Sequence, residues 1–145
     1  MKHFILILAI AFSSLSSFAN DTEVTPAAIK SFNSAFKTAT EVNWTKSDNY
    51  FKVDFSLNGL YAAAYYDAEG NMIALTRNIS SLQLPITLQA SLKNNYECYW
   101  ISDLVELANE SGTSYYITLE NADTKMILKA SSGFDWSHYK KLRKS

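Results

Sequence analysis

The sequence predicts an α+β protein in which a helix followed by a four-stranded antiparallel sheet occurs twice, as two αββββ units. The strongest evidence is the run Phe51 to Leu57, where apolar and polar residues alternate as in a strand with one buried face. Asn58-Gly59 supplies the two positive-φ positions of a type I′ turn, and Leu60 to Tyr66 returns as the paired strand. A similar order of patterns follows residue 84.

The first unit opens with a short helix and continues as four strands. Thr25-Pro26 places an N-cap before a proline at the first helical position, and apolar residues recur at helical spacing to about Lys37. Thr40 to Lys46 alternates apolar and polar residues, which predicts the first strand. Asp67 to Gly70 predicts a type I turn that ends in a left-handed glycine, and Met72 to Thr76 forms the fourth strand.

The second unit follows a polar, serine-containing stretch from Arg77 to Gln83, which is the best candidate for a linker. Leu84-Pro85 opens its helix. Four strands are predicted after the helix, at Trp100–Ala108, Thr113–Glu120, Lys125–Ala130 and Phe134–Tyr139. The first of these also fits a helix around 104–107. The alternation of 115–119 matches that of 51–55, which a diverged duplication would leave.

The N-terminal residues 1–19 have the features of a secretory signal peptide. Lys2 gives a positive start, and the apolar run from Phe4 to Phe12 is too short to span a bilayer of about 30 Å. Small residues stand at Ser17 and Ala19, the two positions that a signal peptidase reads. We expect cleavage after Ala19 and export to the periplasm or the medium, with an uncleaved membrane anchor as the alternative.

The mature chain, 20–145, has the length of one domain. We place unit one at about 25–77 and unit two at about 84–140. A formal net charge of −1 for the full chain gives no concentrated basic face, so nucleic acid is not an expected partner. Cys98 is the only cysteine, which excludes an intramolecular disulfide, and its aromatic neighbours favour a small buried side chain over a reactive thiol.

Residue types that carry catalysis or bind metals are scarce. His138 is the one histidine outside the signal peptide, and with a single cysteine it is too little for a zinc site. Asp135, Ser137 and His138 resemble a catalytic triad in composition. On the predicted strand, however, Asp135 and Ser137 share one face and His138 lies on the other. The stretch 67–71 is too short for a calcium loop. We expect no catalytic residue, metal or cofactor, and hence no enzyme.

Tyrosines are predicted on the sheet face away from the helices, because a two-residue turn at 58–59 sets the register of the hairpin. Five side chains on this face are candidate partner-binding residues: Lys52, Asp54, Tyr61, Tyr65 and Tyr116. Tyrosine suits protein recognition because it offers a large area at low entropy cost together with a hydroxyl. The alternative is that this face packs the two units together or lies in water. Trp44, Trp100 and Trp136 are expected in the core.

The sequence resembles the secreted PepSY-like, or β-lactamase-inhibitor-like, proteins of bacteria. The resemblance rests on AFKTATEVNW at 35–44, YFKVDF at 50–55, YYDAEGNMI at 65–73, the Leu84-Pro85 helix start and SYYITL at 114–119. It covers essentially the whole mature chain. It implies a tandem repeat of a helix and a four-stranded sheet, an exported protein and no known catalytic residues. The better-studied inhibitor of similar architecture grips a protein with its sheet surface.

These observations predict an exported, non-catalytic binding protein that acts through an exposed sheet face. Its partner is an unidentified protein or peptide, and inhibition or modulation of a periplasmic or secreted enzyme is one role that the resemblance implies. The alternative is an envelope module that binds a small molecule or a glycan through the same tyrosines. We expect no nucleic-acid partner and no stable membrane span after signal cleavage.

Overall fold

The computed structural model describes residues 23–144. This range contains α1 Pro26–Ala35, β1 Thr40–Lys46, β2 Phe51–Leu57, β3 Leu60–Tyr66, β4 Met72–Asn78, a 3₁₀ turn Ser81–Gln83, α2 Ile86–Asn95, β5 Trp100–Asn109, β6 Gly112–Glu120, β7 Thr124–Ala130 and β8 Ser137–Arg143. Neither helix in this range has the length and apolar character that crossing a membrane requires. The predicted signal peptide, 1–19, lies outside the described residues.

The eight strands form one antiparallel sheet in sequential order, with β1 at one edge and β8 at the other. The prediction of two repeated αββββ units, each with its own four-stranded sheet, is therefore wrong, although the α+β class holds. β4 pairs with β5 from Ala74 opposite Asn109 to Asn78 opposite Val105. The result is a single large sheet with two short helices.

The predicted linker begins two residues too early, because Arg77 and Asn78 extend β4 and pair it with β5. Arg77 donates to both carboxylate oxygens of Glu106, at 2.8 and 3.3 Å. The side-chain amide of Asn78 donates to Asp103 at 2.9 Å. These polar residues therefore have partners on a strand that lies far away in the sequence.

Helix α1 covers the β2–β3 part of the sheet. The hydroxyl of Thr25 caps the helix by accepting the N–H of Ala28 at 3.3 Å, as an N-cap does. Phe32 meets Phe55 of β2 edge-on, with ring centroids 5.1 Å apart. Val53 is fully buried in the same cluster. This packing confirms the buried face that the alternation of β2 predicts.

Helix α2 covers a second part of the sheet. Leu88 packs with Ile117 and Leu128 in a separate buried cluster. Trp136, in the segment before β8, donates its indole N–H to the carbonyl of Leu88 at 3.1 Å. Trp136 is buried, as predicted, and this hydrogen bond fastens the start of β8 to the helix.

The strand register puts both helices on the same face of the sheet. Leu75 of β4 packs against the α1 cluster and pairs with Ala108 of β5. Leu104, four residues earlier on β5, belongs to the α2 cluster, and residues separated by an even number of positions on a strand point the same way. The other face carries neither helix, and we call it the open face.

Most element bounds agree with the sequence prediction. β1, β2 and β3 have the predicted bounds, and β5 is a strand rather than the alternative helix. Asn58 and Gly59 both have positive φ, 53° and 79°, as a type I′ turn requires. α1 ends at Ala35, two residues early, and β8 spans Ser137–Arg143 rather than Phe134–Tyr139. The late start of β8 follows from the tryptophan before it, which is directed into the core.

Two residues predicted to be buried are exposed. Cys98 lies in the turn between α2 and β5 and is exposed. Trp100, at the first position of β5, is 54% exposed, and the ammonium of Lys144 lies 4.9 Å from its ring centroid. Cys98 lies outside the sheet. Trp100 pairs with Glu120, whose neighbour Leu119 packs under α2, so Trp100 is on the face that the helices do not cover. Trp44, in contrast, packs partly buried against the α1 cluster.

Candidate functional site

The open face carries all five residues that the sequence singled out as candidate partner-binding residues. In the β2–β3 hairpin, Lys52 pairs with Tyr65, Asp54 with Ala63 and Ser56 with Tyr61. Tyr116 of β6 pairs with Val105 of β5, whose neighbour on β4 is Asn78. Paired residues share a face of the sheet, so the register alone brings these side chains to the side without helices.

A shallow depression of about 270 Å³ lies on the open face where β2 to β5 run side by side. Ala63 and Thr76, which pair across β3 and β4, are small and buried and form part of its lining. Larger side chains surround them, including Lys52, Asp54, Tyr61, Tyr65, Asn78 and Val105. Four of the five candidate residues thus line one depression, and Tyr116 lies outside it.

The three candidate tyrosines differ in how much surface they present. Tyr61 is 66% exposed, whereas Tyr65 and Tyr116 are only 7% and 8% exposed. Tyr50 meets Tyr65 edge-on and Tyr139 meets Tyr116 in the same way, each with ring centroids 5.5 Å apart. Tyr65 and Tyr116 are therefore buried in the packing of this face, and Tyr61 is the one of the three that projects into solvent.

An ion pair forms one side of the depression. The Lys52 ammonium lies 2.8 Å from the Asp54 carboxylate. Partial burial acts to lower the pKa of Lys52, but the hydrogen bond and the charge of Asp54 outweigh it, so the net shift is upward. Burial also raises the pKa of the Tyr65 hydroxyl. The charges of Lys52 and Asp54 therefore offset each other on this side of the depression.

Glu41, Asn78 and Val105 are among the residues of the depression that sequence reasoning misses. Glu41 has φ 54° and lies in an irregular part of the β1–β2 pairing, between Thr40 and Asn43, where alternation no longer indicates direction. The other two reach the site through the pairing of β4 with β5. No local signal in the sequence indicates that pairing.

Known structures share this architecture, although no protein-family model matches the sequence and no curated protein matches it significantly. A BLIP-like protein from Bacteroides fragilis is 22% identical with a TM-score of 0.71, over 85% of this chain and 89% of that one. A protein from Bacteroides eggerthii proposed to be periplasmic is 10% identical with a TM-score of 0.72, over 88% and 90%. A DUF2874 family protein from Bacteroides uniformis is 12% identical with a TM-score of 0.73, over 83% and 90%. The chain has this BLIP-like fold.

A second cleft, of about 360 Å³, lies on the helix side of the sheet between α2 and β5. Leu92, Ile101 and Leu119 give it an apolar lining, and Tyr96 and Tyr99 add two aromatic rings that meet edge-on with centroids 6.3 Å apart. Burial raises the pKa of the Tyr96 hydroxyl. None of the five candidate residues lines this cleft.

Asp135, Ser137 and His138, the residues that resemble a catalytic triad in composition, each make contacts with other residues of the fold. Asp135 lies before β8 and accepts the N–H of Trp136, and the Ser137 hydroxyl donates to the carbonyl of Lys129 at 2.9 Å. His138 pairs with Leu128 on the helix side of β8. In the part of the chain from 23 to 144, no three His, Cys, Asp or Glu side chains are grouped to hold a metal ion.

Proposed function

We propose that this protein is an exported, non-catalytic binding protein whose open face docks another protein or peptide. Tyr61 is the central contact in this proposal, and the Lys52–Asp54 pair lies beside it. The protein acts in the periplasm or after secretion. Restraint of a periplasmic or secreted enzyme is the form of action that the resemblance to β-lactamase-inhibitor-like proteins favours.

The observation that carries the proposal is the shape of the open face. Small-molecule sites are concave cavities of about 300–1,000 Å³ that enclose most of the ligand, whereas the depression beside Tyr61 measures about 270 Å³ and is open. A tyrosine that is 66% exposed next to a shallow, small-residue surface is typical of protein interfaces, where aromatic anchors supply much of the contact energy.

The solved structures support the proposal at the level of the fold. One of the similar proteins carries the name BLIP-like and another is proposed to be periplasmic. Fold alone does not fix function, so the weight of the proposal rests on the open face. The alternative is small-molecule or glycan binding, and the cleft between α2 and β5, of about 360 Å³, falls within the size range of such sites.

A comparison of two single variants tests the proposal. The chain from Asn20 is immobilised and exposed to an envelope extract, and bound proteins are quantified for the unchanged chain, Tyr61→Ala and Ile29→Ala. Ile29 is 39% exposed on α1, so its truncation removes apolar area from the opposite side of the sheet. We expect a specific partner to be lost with Tyr61→Ala and kept with Ile29→Ala. Equal capture by both variants would contradict the proposal.

A further inference from the structure

Three large apolar side chains are almost fully exposed. Such exposure is unusual because the burial of apolar side chains lowers the free energy of the protein. Leu82 is 82% exposed, Ile86 is 81% exposed and Phe134 is 78% exposed. Leu82 belongs to the 3₁₀ turn, Ile86 begins α2, and Phe134 lies in the connection from β7 to β8. We call these three residues the apolar tip.

The structure holds the segments that carry the apolar tip against one another. The Thr87 hydroxyl hydrogen-bonds to the carbonyl of Gly133, and a methyl group added at Gly133 would lie 3.4 Å from the ring of Pro85. The side-chain amide of Gln89 donates to the carbonyls of Leu82 and Leu84, at 3.3 and 2.8 Å. The β7–β8 connection, the 3₁₀ turn and the start of α2 therefore form one ordered end of the molecule.

Formal charges are sparse along the chain around the apolar tip, and Asp135, which is exposed directly after Phe134, is the one charged residue adjacent in sequence to a tip residue. No Asp, Glu, Lys or Arg occurs between Arg77 and Lys93, or between Lys129 and Asp135, although charged residues make up 19% of the chain. The Asp135 carboxylate accepts the backbone N–H of Trp136 at 2.8 Å. Because few charges would lose hydration, this end of the molecule can approach an apolar phase at low cost.

We propose that the apolar tip inserts into the interfacial region of a lipid bilayer and holds the protein at a membrane surface. Leu, Ile and Phe on an end with few formal charges suit the boundary between headgroups and acyl chains. Protein hot spots are instead enriched in Trp, Tyr and Arg, and Leu is under-represented there. The tip contains none of the enriched types.

The size of the apolar tip agrees with this occupant. Its three side chains expose on the order of 400 Å² together, an area similar to that of the largest apolar patches on monomeric proteins. A specific protein dimer buries about 800 Å² on each partner, so the tip alone is too small for self-association. A fluid bilayer needs no complementary surface of that size, since three side chains can enter it independently.

The apolar tip and the open face can act at the same time. None of the three tip residues lines the depression beside Tyr61. The lipid proposal therefore stands apart from the proposed function, and each can fail without the other.

Vesicle flotation of the chain from Asn20 tests the proposal, because this chain retains every described element and lacks the apolar run at 4–12. The vesicles contain phosphatidylethanolamine and phosphatidylglycerol in one series and phosphatidylcholine alone in another. We expect binding to both, with about a tenfold or larger loss in the triple variant Leu82→Ser/Ile86→Ser/Phe134→Ser, since each change removes apolar area that would leave water. Leu60→Ser, at a position outside the apolar tip that is 58% exposed, is the control and should bind normally.

Salt and oligomeric state complete the test. Apolar insertion should persist in 1 M NaCl, where charges are screened within about 3 Å. Circular dichroism should show that the triple variant stays folded, because its substitutions lie on the surface. The proposal is overturned if the unchanged chain does not float, if the triple variant floats equally well, or if salt abolishes binding. Light scattering that shows a dimer lost in the triple variant would also overturn it, because the tip would then be a self-association surface.

Discussion

A methyl group added at Gly70 would lie 2.7 Å from the carbonyl oxygen of Ala27, so the turn between β3 and β4 touches the first turn of α1. Gly70 has φ +88°, a conformation that side chains disfavour. The Thr25 hydroxyl donates to the carbonyl of Ala68 in the same turn at 3.0 Å. The position of α1 on the sheet therefore depends on a glycine at this site.

Replacing Gly70 with alanine should destabilise the protein by about 2–4 kcal/mol, since a left-handed backbone is strained and the new methyl group collides with backbone. Gly59→Ala is the matched control. Gly59 has φ +79° but no atom within 4 Å of an added methyl group, so only the backbone strain of about 1 kcal/mol should appear. Urea unfolding measures both losses, and equal losses would show that the contact with Ala27 contributes nothing.

Replacing Tyr66 with phenylalanine should stabilise the protein by about 1 kcal/mol, because its hydroxyl is buried with no hydrogen-bond partner among residues 23–144 and such a group costs free energy. Burial also raises the pKa of this hydroxyl. Tyr65→Phe is the control, since the Tyr65 hydroxyl hydrogen-bonds to Thr76 and its removal should cost about 1 kcal/mol. A lower melting temperature for Tyr66→Phe would contradict this account of the core.

Glu120 should titrate with a pKa of about 2, well below its ordinary value of 4.5. The hydrogen bond from Lys144 is the largest cause, followed by Ser102 and then Lys125. Because the pKa is lower in the folded state, the contribution of this carboxylate to stability is present above pH 4.5 and is lost as the pH falls toward 2.

Carboxyl ¹³C shifts across a pH titration measure this pKa directly. Lys144→Ala should raise the pKa of Glu120, because it removes an ammonium 2.7 Å from the carboxylate. The difference in unfolding free energy between the unchanged chain and Glu120→Gln should shrink as the pH falls from 4.5 to 2. A pKa for Glu120 that does not change in Lys144→Ala would exclude this ion pair in solution.

Tyr61 and Tyr65 of β3 should respond differently to truncation. Tyr61→Ala should change stability by no more than about 0.5 kcal/mol, as expected for an exposed residue. Tyr65→Ala should cost about 3 kcal/mol, because Tyr65 is buried beneath Tyr50 and its removal leaves a cavity. Thermal unfolding distinguishes the two, and a large loss for Tyr61→Ala would mean that this residue has a structural role.

Local patterns predict this fold well wherever neighbouring residues decide the structure. The hairpin around Asn58-Gly59 follows from residues that are adjacent in the sequence, and its register is as predicted. The pairing of β4 with β5 does not follow from adjacent residues. Arg77 and Asn78 resemble linker residues in the sequence, and their partners Glu106 and Asp103 lie 25 or more positions away. The prediction that each sheet ends after four strands is therefore wrong, and the eight strands form one sheet.

The candidate site shows the same division. Period-two alternation assigns Lys52, Asp54 and Tyr61 to one face, because the direction of a strand side chain depends only on its position in the strand. Exposure depends on what lies above each residue. Tyr65 is covered by Tyr50 and Tyr116 by Tyr139, and these contacts join residues that no local pattern connects.

Site-specific photo-cross-linking tests the central claim, that the open face is the docking surface. A photoreactive phenylalanine analogue replaces Tyr61 in one version of the chain and Ile29, on α1, in another. Both are irradiated in the envelope of producing cells and the adducts are compared by mass. We predict a discrete protein adduct from position 61 and none from position 29. An adduct from position 29 alone, or none from position 61, would contradict the claim.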